Sequence, residues 1–92
     1  MIVRVKSYAA FKGLLGDAID VELGEKATIE DLLALLCKSN RRLSEMLFNR
    51  SGRLRDDVNI LKKGRNIQSL NGTGTELMEG DEIAIFTAVI GG

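Results

Sequence analysis

The feature that most constrains the fold is one strong helix pattern with strand patterns on both sides of it. Thr28 and Asp31 have the spacing of a capping box at the start of a helix. Four apolar residues after Thr28 recur at helical spacing and share one face, namely Ile29, Leu32, Leu33 and Leu36. We therefore predict one principal helix whose apolar face is buried against a sheet.

Two strands are predicted before this helix. Apolar residues alternate with polar ones over residues 1–6 and again over residues 19–23, which is the period of a half-buried strand. Two strands so close in sequence favour a hairpin. We expect the apolar side chains of Phe11 and Leu14, in the connection, to pack against the domain.

The second half of the chain is less regular. We predict a short second helix around residues 43–48, a strand over residues 58–61, a turn at residues 63–64 and a short extended piece around Ile67. Residues 71–75 contain two glycines and are predicted to be an irregular loop.

The last strand is predicted over residues 82–87, after a turn at residues 80–81. Alternation places Ile83 and Ile85 toward the core and leaves Phe86 on the other face. The order of elements predicts an α+β protein of the ubiquitin-like β-grasp type, a mixed four- to five-stranded sheet with one main helix packed across it. Residues 1–88 would form this domain, and residues 89–92 a flexible tail.

Composition excludes several kinds of site. The chain has no His, no Trp, no Pro and a single Cys. It therefore has no His-based nucleophile pair, no internal disulfide and too few ligands for a zinc site, so we predict no metal centre. Any reactive group would be a carboxylate or lysine with a perturbed pKa, or a group that is not a side chain. Cys37 lies at the edge of the helical stripe and is interpreted as a small core residue, with a reactive thiol as the alternative.

Charge is balanced overall but uneven along the chain. There are 13 basic and 13 acidic residues, yet residues 37–65 hold nine of the bases against three acids, and residues 66–92 hold four acids and no base. No aromatic residues interleave with the central bases, so we predict no nucleic-acid binding. No apolar run is long enough to span a bilayer, and we expect a cytoplasmic protein without membrane contact.

The last two residues suggest where chemistry could occur. Gly91 and Gly92 make the thinnest thread that a polypeptide can form, and its terminal carboxylate could enter a channel too narrow for side chains. At the α-phosphate of ATP such a carboxylate can become an acyl adenylate, which sulfur or an amine can attack. The alternative is an ordinary disordered chain end.

Several segments together resemble the MoaD/ThiS ubiquitin-like proteins. They are Met1-Ile-Val-Arg-Val-Lys, the helix after Thr28, Val58-Asn-Ile-Leu, Gly64-Arg-Asn-Ile and, most specifically, Leu77-Met-Glu-Gly-Asp-Glu-Ile-Ala-Ile-Phe-Thr-Ala-Val-Ile-Gly-Gly. The resemblance implies a sulfur carrier that binds no cofactor itself. Its Gly92 would be adenylated with ATP by a ubiquitin-activating-type (MoeB/ThiF-like) enzyme and converted to a thiocarboxylate, which donates sulfur to a molybdopterin precursor in complex with the large synthase subunit.

The resemblance also implies an alternative, because archaeal members attach to lysines of target proteins through an isopeptide bond. A plain β-grasp interaction domain is the third hypothesis. Family members commonly have proline after the last strand, whereas this chain has Thr87-Ala88. The tail is therefore expected to be less rigid. Many members also have Asn-Gly where Lys63-Gly64 stands here.

The predicted partner contacts are Phe86, Leu61, Val89 and Ile90. For Phe86 the alternative is burial under the irregular segment near Leu47. Asp81 and Glu82 are interpreted as turn and strand-edge residues, with an acidic patch at the root of the tail as a further expectation.

Overall fold

A computed structural model describes residues 1–88. Its sheet is formed by the strands β1 (Ile2–Ser7), β2 (Ala18–Glu22), β3 (Val58–Lys62), β4 (Arg65–Asn66) and β5 (Glu82–Thr87). Its helices are α1 (Ala10–Leu15), α2 (Ile29–Cys37) and α3 (Arg41–Leu47), with short 3-10 turns at Ile67–Ser69 and Gly72–Gly74.

The five strands form one mixed sheet in the order β2-β1-β5-β3-β4. The first and last strands lie side by side and parallel, and the other neighbours are antiparallel. Parallel pairing requires a crossover, and α2 and α3 lie in the long segment that provides it. The predicted β-grasp arrangement, with its first and last strands adjacent, is confirmed.

Helix α2 begins as the sequence predicts. The Thr28 hydroxyl accepts a hydrogen bond from the Asp31 backbone nitrogen at 3.3 Å, and the Asp31 carboxylate accepts one from the Thr28 nitrogen at 2.9 Å. The apolar stripe of α2 faces the sheet, where Ile29, Leu32 and Leu33 are buried. The core that they enter also contains Val3, Val5, Phe11, Val21, Leu43, Leu47, Ile60, Ile67, Leu77, Ile83 and Ile85.

Three local predictions need correction. Residues of the first connection form α1, a helix that was not predicted. It carries buried Phe11 and half-buried Leu14, so the predicted packing of these two side chains is confirmed. Six residues containing Gly13 show too little periodicity to reveal it. The predicted irregular loop at residues 71–75 contains a 3-10 turn. Ile67 begins another 3-10 turn, while the short strand lies just before it.

The predicted turn between β3 and β4 is a two-residue hairpin loop. Lys63 and Gly64 both have positive φ, at 50° and 81°, which is the combination that a type I′ turn requires. Asn is more easily accommodated than Lys at the first position, where φ is positive. Across residues 1–88, no helix has the length and apolar content that crossing a membrane requires.

Candidate functional site

The strand that leads to the tail occupies the centre of the sheet. Strand β5 pairs with β1 on one side and β3 on the other. Ile83 and Ile85 are fully buried against the helices, whereas Ala84 and Phe86 lie on the opposite face, as predicted. Because both edges of β5 are hydrogen-bonded, the strand gives a rigid base to the residues that follow it.

The last described residue is attached to the body of the domain. The Ala88 backbone nitrogen donates to the Asp57 carbonyl oxygen at 2.8 Å, directly after the register pair Thr87 and Val58. We call Thr87 and Ala88 the tail root. The predicted site residues Val89, Ile90, Gly91 and Gly92 lie outside the described residues.

A small apolar patch lies on the face of the sheet that carries no helix. Phe86 meets Tyr8 edge to face, with ring centroids 6.4 Å apart and planes at 86°. Leu61 on β3 is the register partner of Ala84 on β5. Ala84 lies two residues before Phe86, so the two side chains are on the same face of β5. We call Tyr8, Leu61, Ala84 and Phe86 the open-face patch.

This patch decides between the two interpretations of Phe86. Leu47 belongs to the buried core on the helix side, so burial of Phe86 under that segment is wrong. Phe86 is partly covered by Tyr8, which is itself 49% exposed. Sequence reasoning missed Tyr8, although it follows Ile2, Arg4 and Lys6 at the two-residue spacing of one strand face.

Two ion pairs lie on the β1 side of the open-face patch. Arg4 Nε lies 3.0 Å from Asp20 Oδ1, and this hydrogen bond and charge lower the pKa of the Asp20 carboxyl and raise that of Arg4. Lys6 Nζ lies 3.5 Å from Glu82 Oε1. These contacts neutralise charge beside the patch and leave its apolar side chains as the distinctive feature of this face.

Asp81 is a structural residue, as predicted. Its side chain is fully buried, its Oδ2 accepts a hydrogen bond from the Met78 nitrogen at 2.8 Å, and its backbone carbonyl accepts one from the Arg4 nitrogen. Two ammonium groups approach it at 3.5 Å, Lys62 Nζ at Oδ2 and Lys63 Nζ at Oδ1. Asp81 thus closes the turn before β5.

An acidic patch at the tail root was expected, and this prediction is wrong. Asp81 and Glu82 stand at the beginning of β5, roughly 17 Å of extended strand away from Thr87. A different set of charges surrounds the root. A groove lined by Arg41, Arg42, Glu45, Met46, Arg55 and Asp57 has Thr87 as one of its walls.

No group of side chains in residues 1–88 resembles a metal centre. Within these residues, no three Asp, Glu or Cys side chains come together as ligands could. Cys37 is partly buried and packs against the core, and burial raises the pKa of its thiol. The thiol is therefore mostly protonated near neutrality, in agreement with its interpretation as a core residue.

The fold and the tail root define a class, the ubiquitin-like β-grasp proteins in which a central strand leads to the C-terminal residues. Within that class the chain belongs to the ThiS family, whose model matches residues 6–92. The family comprises ubiquitin-like sulfur carriers and protein modifiers, and it works with adenylating enzymes of the E1 type.

The names of two relatives cover the two activities, sulfur transport and protein modification. A protein of Archaeoglobus fulgidus assigned as a sulfur carrier is 36% identical over 74 residues, which is 79% of this chain and 84% of that protein. Small archaeal modifier protein 3 of Haloferax volcanii is 31% identical over 93 residues, covering the whole of both chains.

Solved structures agree with this assignment. SAMP1 of Haloferax volcanii superposes with a TM-score of 0.85 at 28% identity, covering 100% of both chains. A Pyrococcus furiosus protein assigned as molybdopterin converting factor subunit 1 has a TM-score of 0.77 at 31% identity, covering 97% of this chain and 99% of its own.

Proposed function

We propose that this chain is a sulfur carrier whose reactive group is the carboxylate of Gly92, and that it supplies sulfur for molybdopterin synthesis as a small synthase subunit. The observation that carries the proposal is the anchored tail root. Ala88 is hydrogen-bonded to Asp57 at the end of the central strand, and only four residues separate it from the carboxylate of Gly92. Such a domain holds the root still while a partner takes up the tail.

The chemistry takes place at the main chain. A carboxylate oxygen of Gly92 attacks the α-phosphorus of ATP held by the adenylating enzyme, and pyrophosphate leaves with the electrons of the broken phosphoanhydride bond. Sulfide delivered by a partner then attacks the acyl carbon, AMP leaves and a thiocarboxylate remains. The absence of His from the chain is consistent with this reaction, because no side chain of the carrier has to transfer a proton.

The open-face patch is proposed as the apolar contact for the adenylating enzyme, with Val89 and Ile90 as further contacts next to the glycines. Phe86 and Leu61 lie on the face of the sheet that carries no helix, on neighbouring strands. A partly exposed aromatic side chain with apolar neighbours is the usual centre of a protein interface. The large synthase subunit would use the same carboxyl-terminal residues in turn. All of these steps belong in the cytoplasm, where the ATP is available.

A second candidate function is conjugation of Gly92 to lysines of target proteins. Specific support comes from similarity to a small archaeal modifier protein along the whole length of both chains. The adenylate is the shared intermediate. A lysine amine attacks the acyl carbon in place of sulfide, AMP leaves and an amide bond forms.

The first experiment measures the intact mass of the protein purified from its own host. A carrier yields a species in which sulfur replaces one carboxyl oxygen of a chain ending at Gly92. A modifier yields adducts joined to lysines of other proteins. Recovery of the unmodified chain alone, from cells that make molybdopterin, would contradict both candidates.

The second experiment deletes Gly91 and Gly92. Loss of adenylation and of host function is expected, whereas a plain interaction domain would keep its activity. Gly13→Ala is the matched control, because a Cβ at Gly13 meets no atom within 4 Å and a glycine is again altered. The control protein is expected to be adenylated like the original one.

A further inference from the structure

The arginines of the chain are concentrated where ion pairs are scarce. Arg41, Arg42, Arg50, Arg53 and Arg55 are all exposed. Among residues 1–88, Arg55 alone of these five forms an ion pair, with Asp57 at 3.6 Å. Elsewhere in the described part of the chain, ion pairs neutralise five other bases, namely Arg4, Lys6, Lys12, Lys62 and Lys63.

Three of these arginines line the groove beside the tail root. Arg41 and Arg42 open α3, and Arg55 comes from the segment before β3. The Arg55 backbone nitrogen donates to the Leu47 carbonyl oxygen at 2.8 Å, which joins that segment to the end of α3. We call this surface, together with Met46 and Thr87, the arginine groove.

The short tail brings any partner against this groove. Four residues follow Ala88, and fully extended they span at most about 14 Å. An enzyme that reacts with Gly92 must therefore place the mouth of its channel within that distance of the root. Its surface then meets the arginine groove, because Thr87 is part of the groove wall.

We propose that the arginine groove docks on an acidic surface beside the channel of the adenylating enzyme. This inference rests on the proposed function and adds the chemistry of the partner surface. The guanidinium groups of Arg41 and Arg42, which form no ion pair within residues 1–88, suit carboxylates, with which they can form paired hydrogen bonds. Such contacts mainly increase the rate of encounter and fix the orientation of docking.

The groove favours a protein over a nucleic acid. Met46 is the apolar residue among those that line it within residues 1–88, and none of them carries an aromatic ring on which a base could stack. Glu45 and Asp57 also line it, and their carboxylates would repel a phosphate backbone. A protein surface with more acidic than basic residues can place carboxylates against the arginines of the groove and basic groups against Glu45 and Asp57.

The test is the charge reversal Arg41→Glu with Arg42→Glu. Both residues lie in the first turn of α3, where acidic side chains are favoured by the helix dipole, so the variant keeps its fold. The matched control is Lys26→Glu with Arg65→Glu. It makes the same change in net charge at two exposed positions that have no ion pair within residues 1–88 and do not line the groove.

Two quantities are measured with the adenylating enzyme of the same host, the Kd for binding and the KM of this protein in ATP–pyrophosphate exchange. We expect the groove variant to raise both about tenfold with kcat retained, and to weaken the dependence of binding on salt. The control should stay within about twofold of the original protein. Equal effects in both variants, or none in the groove variant, would overturn the proposal.

Two other occupants of the groove would overturn the inference, and each would give its own result. Concentration-dependent self-association that the groove variant abolishes would indicate a second copy of the chain. Nucleic acid that copurifies with the original protein and not with the variant would indicate a polyanion. Binding that depends on the arginines without any adenylation would support the docking surface and contradict the proposed function. Absence of binding would overturn both.

Discussion

The Ala88 backbone nitrogen donates a hydrogen bond to the Asp57 carbonyl oxygen at 2.8 Å, and this contact ties the tail root to the segment that carries Arg55. Proline cannot make such a contact because it has no N–H. The backbone N–H of Ala88 therefore attaches the tail root to the domain by a hydrogen bond that a proline at this position would lose.

The first prediction concerns this bond. Ala88→Pro should lower the free energy of unfolding by about 1 kcal/mol, because one backbone donor is lost. Ala88→Ser, which keeps the N–H, should stay close to the original protein. Urea denaturation measures the difference. Equal midpoints for the two variants would show that the hydrogen bond contributes nothing to stability.

The second prediction concerns the aromatic pair in the open-face patch. Tyr8 and Phe86 meet edge to face, so a double-mutant cycle with alanine at both positions should give a coupling energy of about 0.5 to 1.5 kcal/mol. A second cycle between Tyr8 and Leu61 is the control, with an expected coupling below about 0.5 kcal/mol. Comparable values in both cycles would contradict a specific pair.

A third prediction follows from the burial of Asp81. Asp81→Ala removes the acceptor of the Met78 N–H and leaves the half-buried ammonium of Lys62 without its carboxylate. We expect a loss of roughly 2 to 4 kcal/mol in unfolding free energy. Asp81→Asn keeps an acceptor oxygen and should lose less.

Glu82→Ala is the neighbouring control for Asp81. Glu82 is exposed, and its ion pair with Lys6 should be worth no more than about 1 kcal/mol. Thermal or urea unfolding of the three variants gives the comparison. A similar loss at residues 81 and 82 would mean that burial of Asp81 has no special cost.

The fourth prediction is the behaviour of Cys37 with pH. Burial raises the pKa of its thiol, so the folded state favours the neutral form. The stability from this preference is present below the pKa of the unfolded thiol and is lost as pH rises through the folded value. Alkylation by iodoacetamide at mildly alkaline pH should be slower in the folded protein than in urea. Cys37→Ala should remove this part of the alkaline loss of stability.

The fifth prediction concerns detection of conjugates. No Lys or Arg occurs in residues 66–92, so trypsin would leave this whole segment attached to a modified lysine. Mass spectrometry should find that long branch, and a search for a Gly-Gly remnant should miss it. Purified conjugates of this protein whose tryptic digest contains a Gly-Gly remnant and no long branch would argue against conjugation through Gly92.

Local patterns predicted the elements whose signals lie close together in sequence. The capping box at Thr28, the stripe of α2 and the alternation of β5 each depend on neighbours a few residues apart, and all three are confirmed. Helix α1 escaped prediction because it is short and contains Gly13. Tyr8 escaped because its partner, Phe86, is distant in sequence and the two meet only in the folded sheet.

By itself, the sequence determined the ubiquitin-like class, the glycine pair and the absence of a histidine catalyst, because periodicity and composition are local properties. Tertiary structure alone decided which charges surround the tail root. In sequence the nearest charges to the tail are Asp81 and Glu82, but an extended strand carries them to the far end of the sheet. Antiparallel pairing of β3 with β5 brings Asp57 and the preceding Arg55 to Thr87 instead, and α3 adds Arg41 and Arg42.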